Sequence, residues 1–149
     1  MTKETLDFVA PLSAEKLQNF FGVFLQFQIG VDSASSLRAS PTLHSYNAIA
    51  TQSSNTGKIV ITYDVTANTI ASSVGVSNIK IYKSNGSYVT TIYATSTNNL
   101  KASNTVRHRA AYTYTGTSGT YYYAEVTVFA TIDGVTDSRT ITTNTVKAP

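Results

Sequence analysis

The stretch TYYYAEVTVFATIDGVTDSRTITTNTV, residues 120–146, decides the fold of this chain. Tyr122, Ala124, Val126, Val128 and Ala130 alternate with Tyr123, Glu125, Thr127, Phe129 and Thr131. A period of two puts the first set on one face of a strand and the second on the other, whereas a helix would scatter both. Asp133-Gly134 follows at once, a dipeptide suited to the positive φ angles of a tight hairpin turn. A Thr/Ser-rich strand over 135–146 then returns.

The same alternation runs upstream. Residues 58–66 place Ile59, Ile61, Tyr63 and Val65 on one face, and residues 78–83 do the same with Ile79 and Ile81. Asn85-Gly86 reads as a hairpin turn with two positive-φ residues, after which 88–94 returns. Strands are also expected at 43–52 and 105–114, and Gly116 and Gly119 bracket a turn. About seven strands with turn signals between them, and no helical pattern separating them, predict an antiparallel all-β sandwich of immunoglobulin-like or fibronectin-like type over residues 38–149.

The first 37 residues read differently. Ser13 can cap a short helix with Glu15 in its first turn, and Leu17, Phe20, Phe21 and Phe24 recur at helical spacing. Beyond Gly22, Leu25, Phe27, Ile29 and Val31 take up a strand period. A small sandwich does not need this many aromatic rings for its own core. Leu17, Phe20, Phe21, Phe24, Leu25 and Phe27 are therefore expected either to cover one face of the sandwich or to assemble with a neighbouring copy.

Composition narrows the function. A chain of 149 residues is the usual size of one domain. Charged residues make up 13%, about half the roughly 25% typical of soluble domains, with Thr, Ser, Asn and ten tyrosines in their place. That balance points to an extracellular or cell-surface location, with a cytoplasmic or virion location left open. No apolar run is long enough for a membrane-spanning helix. The acidic flank of Glu4, Asp7 and Glu15 has the wrong sign for a secretory leader, so export would imply a leader already removed.

Chemistry-bearing motifs are few. The absence of cysteine excludes thiol catalysis and cysteine-based zinc sites. The net charge of +3 lacks the basic stripe that nucleic acid requires; Arg107-His108-Arg109 is only a short basic edge. His44 and His108 are too few for a zinc centre, and Asp64 and Glu125 are each expected to face solvent, unpaired with one another. Gly116-Thr117-Ser118-Gly119 reads as a turn and not as a nucleophile elbow, and Asp133 to Asp137 lacks the order of a calcium loop. No catalytic residue, metal or cofactor is assigned, and the chain is not expected to be an enzyme.

The aromatic pattern is the most informative feature. Tyr112, Tyr114, Tyr121 and Tyr123 flank one turn, and the two pairs would form a flat platform for a glycan or a protein if their faces coincide. The alternative is strand propensity, plus one tyrosine that locks a strand corner. The expected role is a structural or interaction protein that partners itself, as an oligomer or filament, or else a surface protein or glycan. A carbohydrate-binding module is the competing reading.

The alternation from Tyr122 to Ala130, with Asp133-Gly134 and the Thr/Ser-rich last strand, resembles the final two strands of fibronectin type III and related immunoglobulin-like domains. From about Arg38 onward the chain is also similar to an uncharacterised family of short secreted proteins from clostridia-like Gram-positive bacteria. The resembling parts are Gly57-Lys58-Ile59, Ile79-Lys80-Ile81-Tyr82, Gly119-Thr120-Tyr121-Tyr122-Tyr123 and Gly134-Val135-Thr136-Asp137-Ser138. The resemblance implies a secreted β-sandwich and implies no activity. The tryptophan that a type III core carries early in the sandwich has no counterpart here.

Overall fold

A computed structural model describes residues Ser40–Pro149, which form one compact unit. The expected helix over 13–21, the strand to Val31 and the aromatic segment from Leu17 to Phe27 lie outside the described residues.

The described chain is all-β and antiparallel, with seven strands: β1 (Leu43–Gln52), β2 (Lys58–Lys83), β3 (Tyr88–Tyr93), β4 (Lys101–Thr115), β5 (Tyr121–Ile132), β6 (Val135–Thr142) and β7 (Val146–Lys147). β2 organises the rest. Its first part pairs with β1 on one side and β4 on the other, Tyr63 lying between Ala48 and Ala110. Its last part pairs with β3 and β5, Ile79 lying between Ile92 and Val126. β6 and β7 extend the second ladder from the far side of β5.

A single strand serves two ladders because its inward face is re-aimed along the way. Ile59, Ile61, Tyr63 and Val65 are buried at odd positions, Val74 and Val76 at even ones, and Ile79 and Ile81 at odd ones again. The first change falls between Ala71 and Val74, just past the register shift from Thr66 to Ala71 against β4, and the second coincides with the register shift between Val76 and Asn78 against β5. Each extra residue in a bulge turns the following side chains to the other face and bends the strand. Gly75 sits in this bend with φ of 145°, where a Cβ would lie 2.4 Å from the Leu100 carbonyl oxygen. Only glycine lets the backbones of β2 and the start of β4 approach so closely.

Both ladders contribute to one core. It gathers Ile59, Ile61, Tyr63 and Val65 from the first and Ile79, Ile81, Val126 and Val128 from the second. Leu100 is buried with them, and the Tyr63 hydroxyl donates to the neighbouring Asn99 carbonyl at 3.0 Å. Beyond β6, the Asn144 side chain reaches β1. It accepts from the Ala50 amide at 3.0 Å and donates to the Ala50 carbonyl at 2.9 Å, as a neighbouring strand would.

Three local readings of the sequence are corrected. The stretch between Thr66 and Asn78, rich in Asn, Ser and Gly, reads as a break but continues as strand through the bend. The last segment splits, because the Thr143 hydroxyl accepts the Ala124 amide and interrupts the ladder between β6 and β7. At the first hairpin only Gly86 has positive φ, and its amide bonds the Lys83 carbonyl at 2.8 Å. That is a three-residue loop closed by a left-handed glycine, and Asn85 keeps negative φ. At the second hairpin both Asp133 and Gly134 are left-handed, as the two-residue turn requires.

Candidate functional site

The tyrosines do gather on a face, but from a different set of strands. On the outer side of the second ladder, Tyr82 of β2 stands opposite Tyr88 of β3 and opposite Tyr123 of β5. The Tyr82 and Tyr123 rings stack with centroids 5.3 Å apart and planes 13° from parallel. Tyr88 meets Tyr82 edge to face at 5.9 Å. Such cross-strand aromatic pairs each contribute up to about 1 kcal/mol to a sheet.

The hydroxyls of this row are engaged as well. Tyr82 donates to Glu125 Oε1 at 3.1 Å, and burial together with that carboxylate pushes the Tyr82 hydroxyl up from its ordinary pKa. The Tyr88 hydroxyl lies 2.7 Å from Thr91 Oγ1. One step along β5, Tyr121 is half exposed, with Lys147 Nζ over its ring at 5.9 Å. Toward β6 the surface becomes one of paired hydroxyls, Thr127 with Thr140 at 3.1 Å and Thr131 with Thr136 at 2.7 Å.

Tyr112 and Tyr114 are not part of this face. β4 pairs with the first part of β2 and not with β5, so these two tyrosines stand opposite Ile61 and Ile59. Both are half-buried against the core. Tyr114 packs edge-on against Tyr122 at 5.5 Å, and burial raises its pKa. The four-tyrosine platform expected from the sequence is therefore not formed. Tyr121 and Tyr123 lie on the outer face of the second ladder while Tyr112 and Tyr114 turn inward on the first. The expectation failed because strand alternation gives the direction of a side chain and says nothing about which strand lies next to it.

Tyr82 and Tyr88 were the residues missed. They flank the Asn85-Gly86 turn, and closing any hairpin there brings them near one another, so the signal was present in the spacing.

Several ionisable groups have a local partner. Asp64 takes a two-pronged bond from Arg107, whose guanidinium holds the carboxyl below its usual range with help from the Arg109 charge. Asp137 accepts from Ser40, Arg139 and the Ser138 amide, and the same contacts, Ser40 foremost, keep it acidic. His108 Nε2 lies 2.8 Å from the Asn99 carbonyl, and His44 is exposed on β1. Asp64 and Glu125 belong to different ladders. Among the described residues no three His, Asp or Glu side chains gather in a way that could hold a metal, and no helix is long and apolar enough to cross a membrane.

No family model, curated protein or solved structure matches this chain.

Proposed function

We propose that this chain is a non-enzymatic structural or interaction protein of the extracellular surface, built on an immunoglobulin-like sandwich and able to assemble with itself. The observation that carries the reading is the aromatic row Tyr88–Tyr82–Tyr123, set across three adjacent strands on an outer face. Tyrosine held rigidly at a surface is a protein-contact residue. It offers large area and a polar tip at little conformational cost.

Two features support the sandwich. Reading β1 as strand A, the two parts of β2 as B and C, β3 as C′, and β4, β5 and β6 as E, F and G gives ladders A-B-E and C′-C-F-G. This is the grouping of strands that immunoglobulin-like folds use. Tyr122 is also buried at the start of β5 with its hydroxyl bonded to the backbone five residues upstream, as in the tyrosine corner of such folds. The low charge and the hydroxyl-rich face support residence outside the cell. The non-enzymatic reading draws on the local partners of Asp64, Glu125, Asp137 and His108, which tie these groups into the framework.

A glycan partner has less support on the same face. Sugar rings stack on free aromatic faces, whereas the Tyr82 ring is stacked against Tyr123 and packed against Tyr88. Sedimentation velocity over a wide concentration range tests the proposal. The expected result is a mass that rises above that of one chain with concentration. A mass fixed at one chain throughout, or specific retention on a glycan array that is lost in Tyr121→Ala and Tyr123→Ala, would overturn it.

A further inference from the structure

Five strands, β1, β3, β4, β6 and the two-residue β7, have one side without a partner strand among the described residues. An open edge invites pairing with another chain, and proteins blunt such edges with charge, irregular backbone or a covering side chain. β4 carries Lys101, Arg107 and Arg109 and is kinked at the left-handed Asn104. β6 carries Asp137 and Arg139. β1 has the Asn144 amide clamped on both backbone groups of Ala50. β3 carries no charge, and its backbone irregularity is confined to the register shift at Tyr88. Its sequence YVTTIY is aromatic and β-branched without a formal charge, glycine or proline, and only its last carbonyl, at Tyr93, is capped, by the Asn98 side chain. Tyr88 at 59% and Tyr93 at 67% exposure are the two most exposed aromatic residues described.

We infer that β3 is the assembly edge, and that two copies of this chain join there, β3 to β3 and antiparallel, about a two-fold axis at Thr91. This rests on the self-assembly reading above and specifies its surface. Antiparallel pairing sets same-face residues opposite one another, and a two-fold axis uses the same patch on both copies. With Thr91 on the axis, it faces the partner's Thr91 on the outer side, and Ile92 faces the partner's Thr90 on the inner side. The register shift of β3 at Tyr88 then matters. It puts Tyr88 on the same face as Tyr93 despite their odd separation, Tyr88 opposing Tyr82 and Tyr93 opposing Asn78. Tyr93 thus comes beside the partner's Tyr88, and the aromatic row passes through the interface into the partner's sheet.

A second copy fits this edge better than it fits the others. Residues 40–149 hold eight basic and four acidic side chains, so most self-contacts bring like charges together. At β3 the nearest outer cation is Lys80, opposite Thr91 on β2. Three strand spacings would separate Lys80 from the partner's Lys80, about 14 Å, beyond the screening length of ~8 Å at physiological salt.

The test uses the full chain, which has no native cysteine. In Thr91→Cys, paired Cα atoms at the axis would be about 4.5–5.5 Å apart, within disulfide range. Mild oxidation is expected to convert most of it to covalent dimer, while Ser138→Cys on β6 stays largely monomeric at the same concentration. Thr91→Lys is expected to weaken association at least tenfold by sedimentation while its circular dichroism stays that of the parent, the lysine opposite Lys80 lowering the denaturation midpoint only slightly. Equal cross-linking of the two cysteine variants, or undiminished association of a folded Thr91→Lys, overturns the β3 edge and leaves the self-assembly reading in place. A parent chain that never associates overturns both.

Discussion

The Tyr122 hydroxyl accepts a hydrogen bond from the Thr117 amide at 2.9 Å, spanning the turn from β4 to β5. The ring lies so close to Gly116 that a Cβ there would fall 2.7–2.8 Å from its atoms. Burial pushes the Tyr122 hydroxyl up, yet the Thr117 amide and hydroxyl, the Thr120 hydroxyl and the Lys83 charge together hold it below the ordinary phenol value. Tyr122→Phe keeps the packing and removes the bond, so a loss of about 1 kcal/mol is expected. Gly116→Ala forces the ring aside and is expected to cost about 1–3 kcal/mol. Urea denaturation midpoints check both. Because both changes act on one contact, the double variant should lose less than the sum.

Gly75 and Gly86 separate two reasons for glycine. At Gly86 a Cβ meets nothing within 4 Å, and only its φ of 91° resists substitution. Gly86→Ala is expected to cost about 1 kcal/mol. At Gly75 a Cβ would strike backbone, the Leu100 carbonyl at 2.4 Å and the Lys101 Cα at 2.7 Å. Gly75→Ala must part β2 from β4 at the bend and is expected to cost at least about 3 kcal/mol, enough to populate unfolded chain in a thermal melt.

These positions also mark how far the sequence could be read. The alternation from Tyr122 to Ala130 revealed β5, its inward face and its hairpin, because the period of two is local. The extent of β1 was legible too, although its inward face was not, because the register shift between Leu43 and Ser45 breaks its alternation. The union of the two parts of β2 was not, since Asn68, Ser72, Ser73 and Gly75 have the composition of a loop. What keeps that stretch extended is pairing with β4 and β5, distant in sequence. The aromatic face shows the same limit. The outward direction of Tyr121 and Tyr123 was readable, but that their neighbours would be Tyr82 and Tyr88, and not Tyr112 and Tyr114, depends on strand order.

Asp137 predicts behaviour in acid. Its carboxylate ties Ser40 at the start of the described chain to β6, and Ser40 Oγ in turn accepts the Leu43 amide at 2.8 Å. Its folded pKa lies below the unfolded value, so its stabilisation is present above the unfolded pKa of about 4 and is lost as pH falls through the lower folded value. Asp137→Asn is expected to lower stability at neutral pH and to flatten the decline below about pH 4. Asp64→Asn should act in the same direction and more weakly, because the Arg107 side chain is 52% exposed and the pair is screened by solvent. Denaturation midpoints collected from pH 7 to pH 2 check the order.

Tyr63 predicts the opposite limb. It is 1% exposed, its hydroxyl donates to the Asn99 carbonyl, and burial pushes its pKa up to about 12. In the unfolded chain the phenol ionises near pH 10. Between those values the unfolded state holds fewer protons than the folded one, so stability falls as pH rises, and it is fully present below pH 10. Two units correspond to a loss on the order of 2–3 kcal/mol. Tyr63→Phe gives up the Asn99 bond, about 1 kcal/mol at neutral pH, and removes this ionisation. The variant is therefore expected to be the less stable protein at pH 7 and to close the gap, or overtake the parent, by about pH 12. Parallel alkaline limbs for the two proteins would mean that Tyr63 ionises freely in the folded state, and that the core formed by the two ladders admits water at its centre.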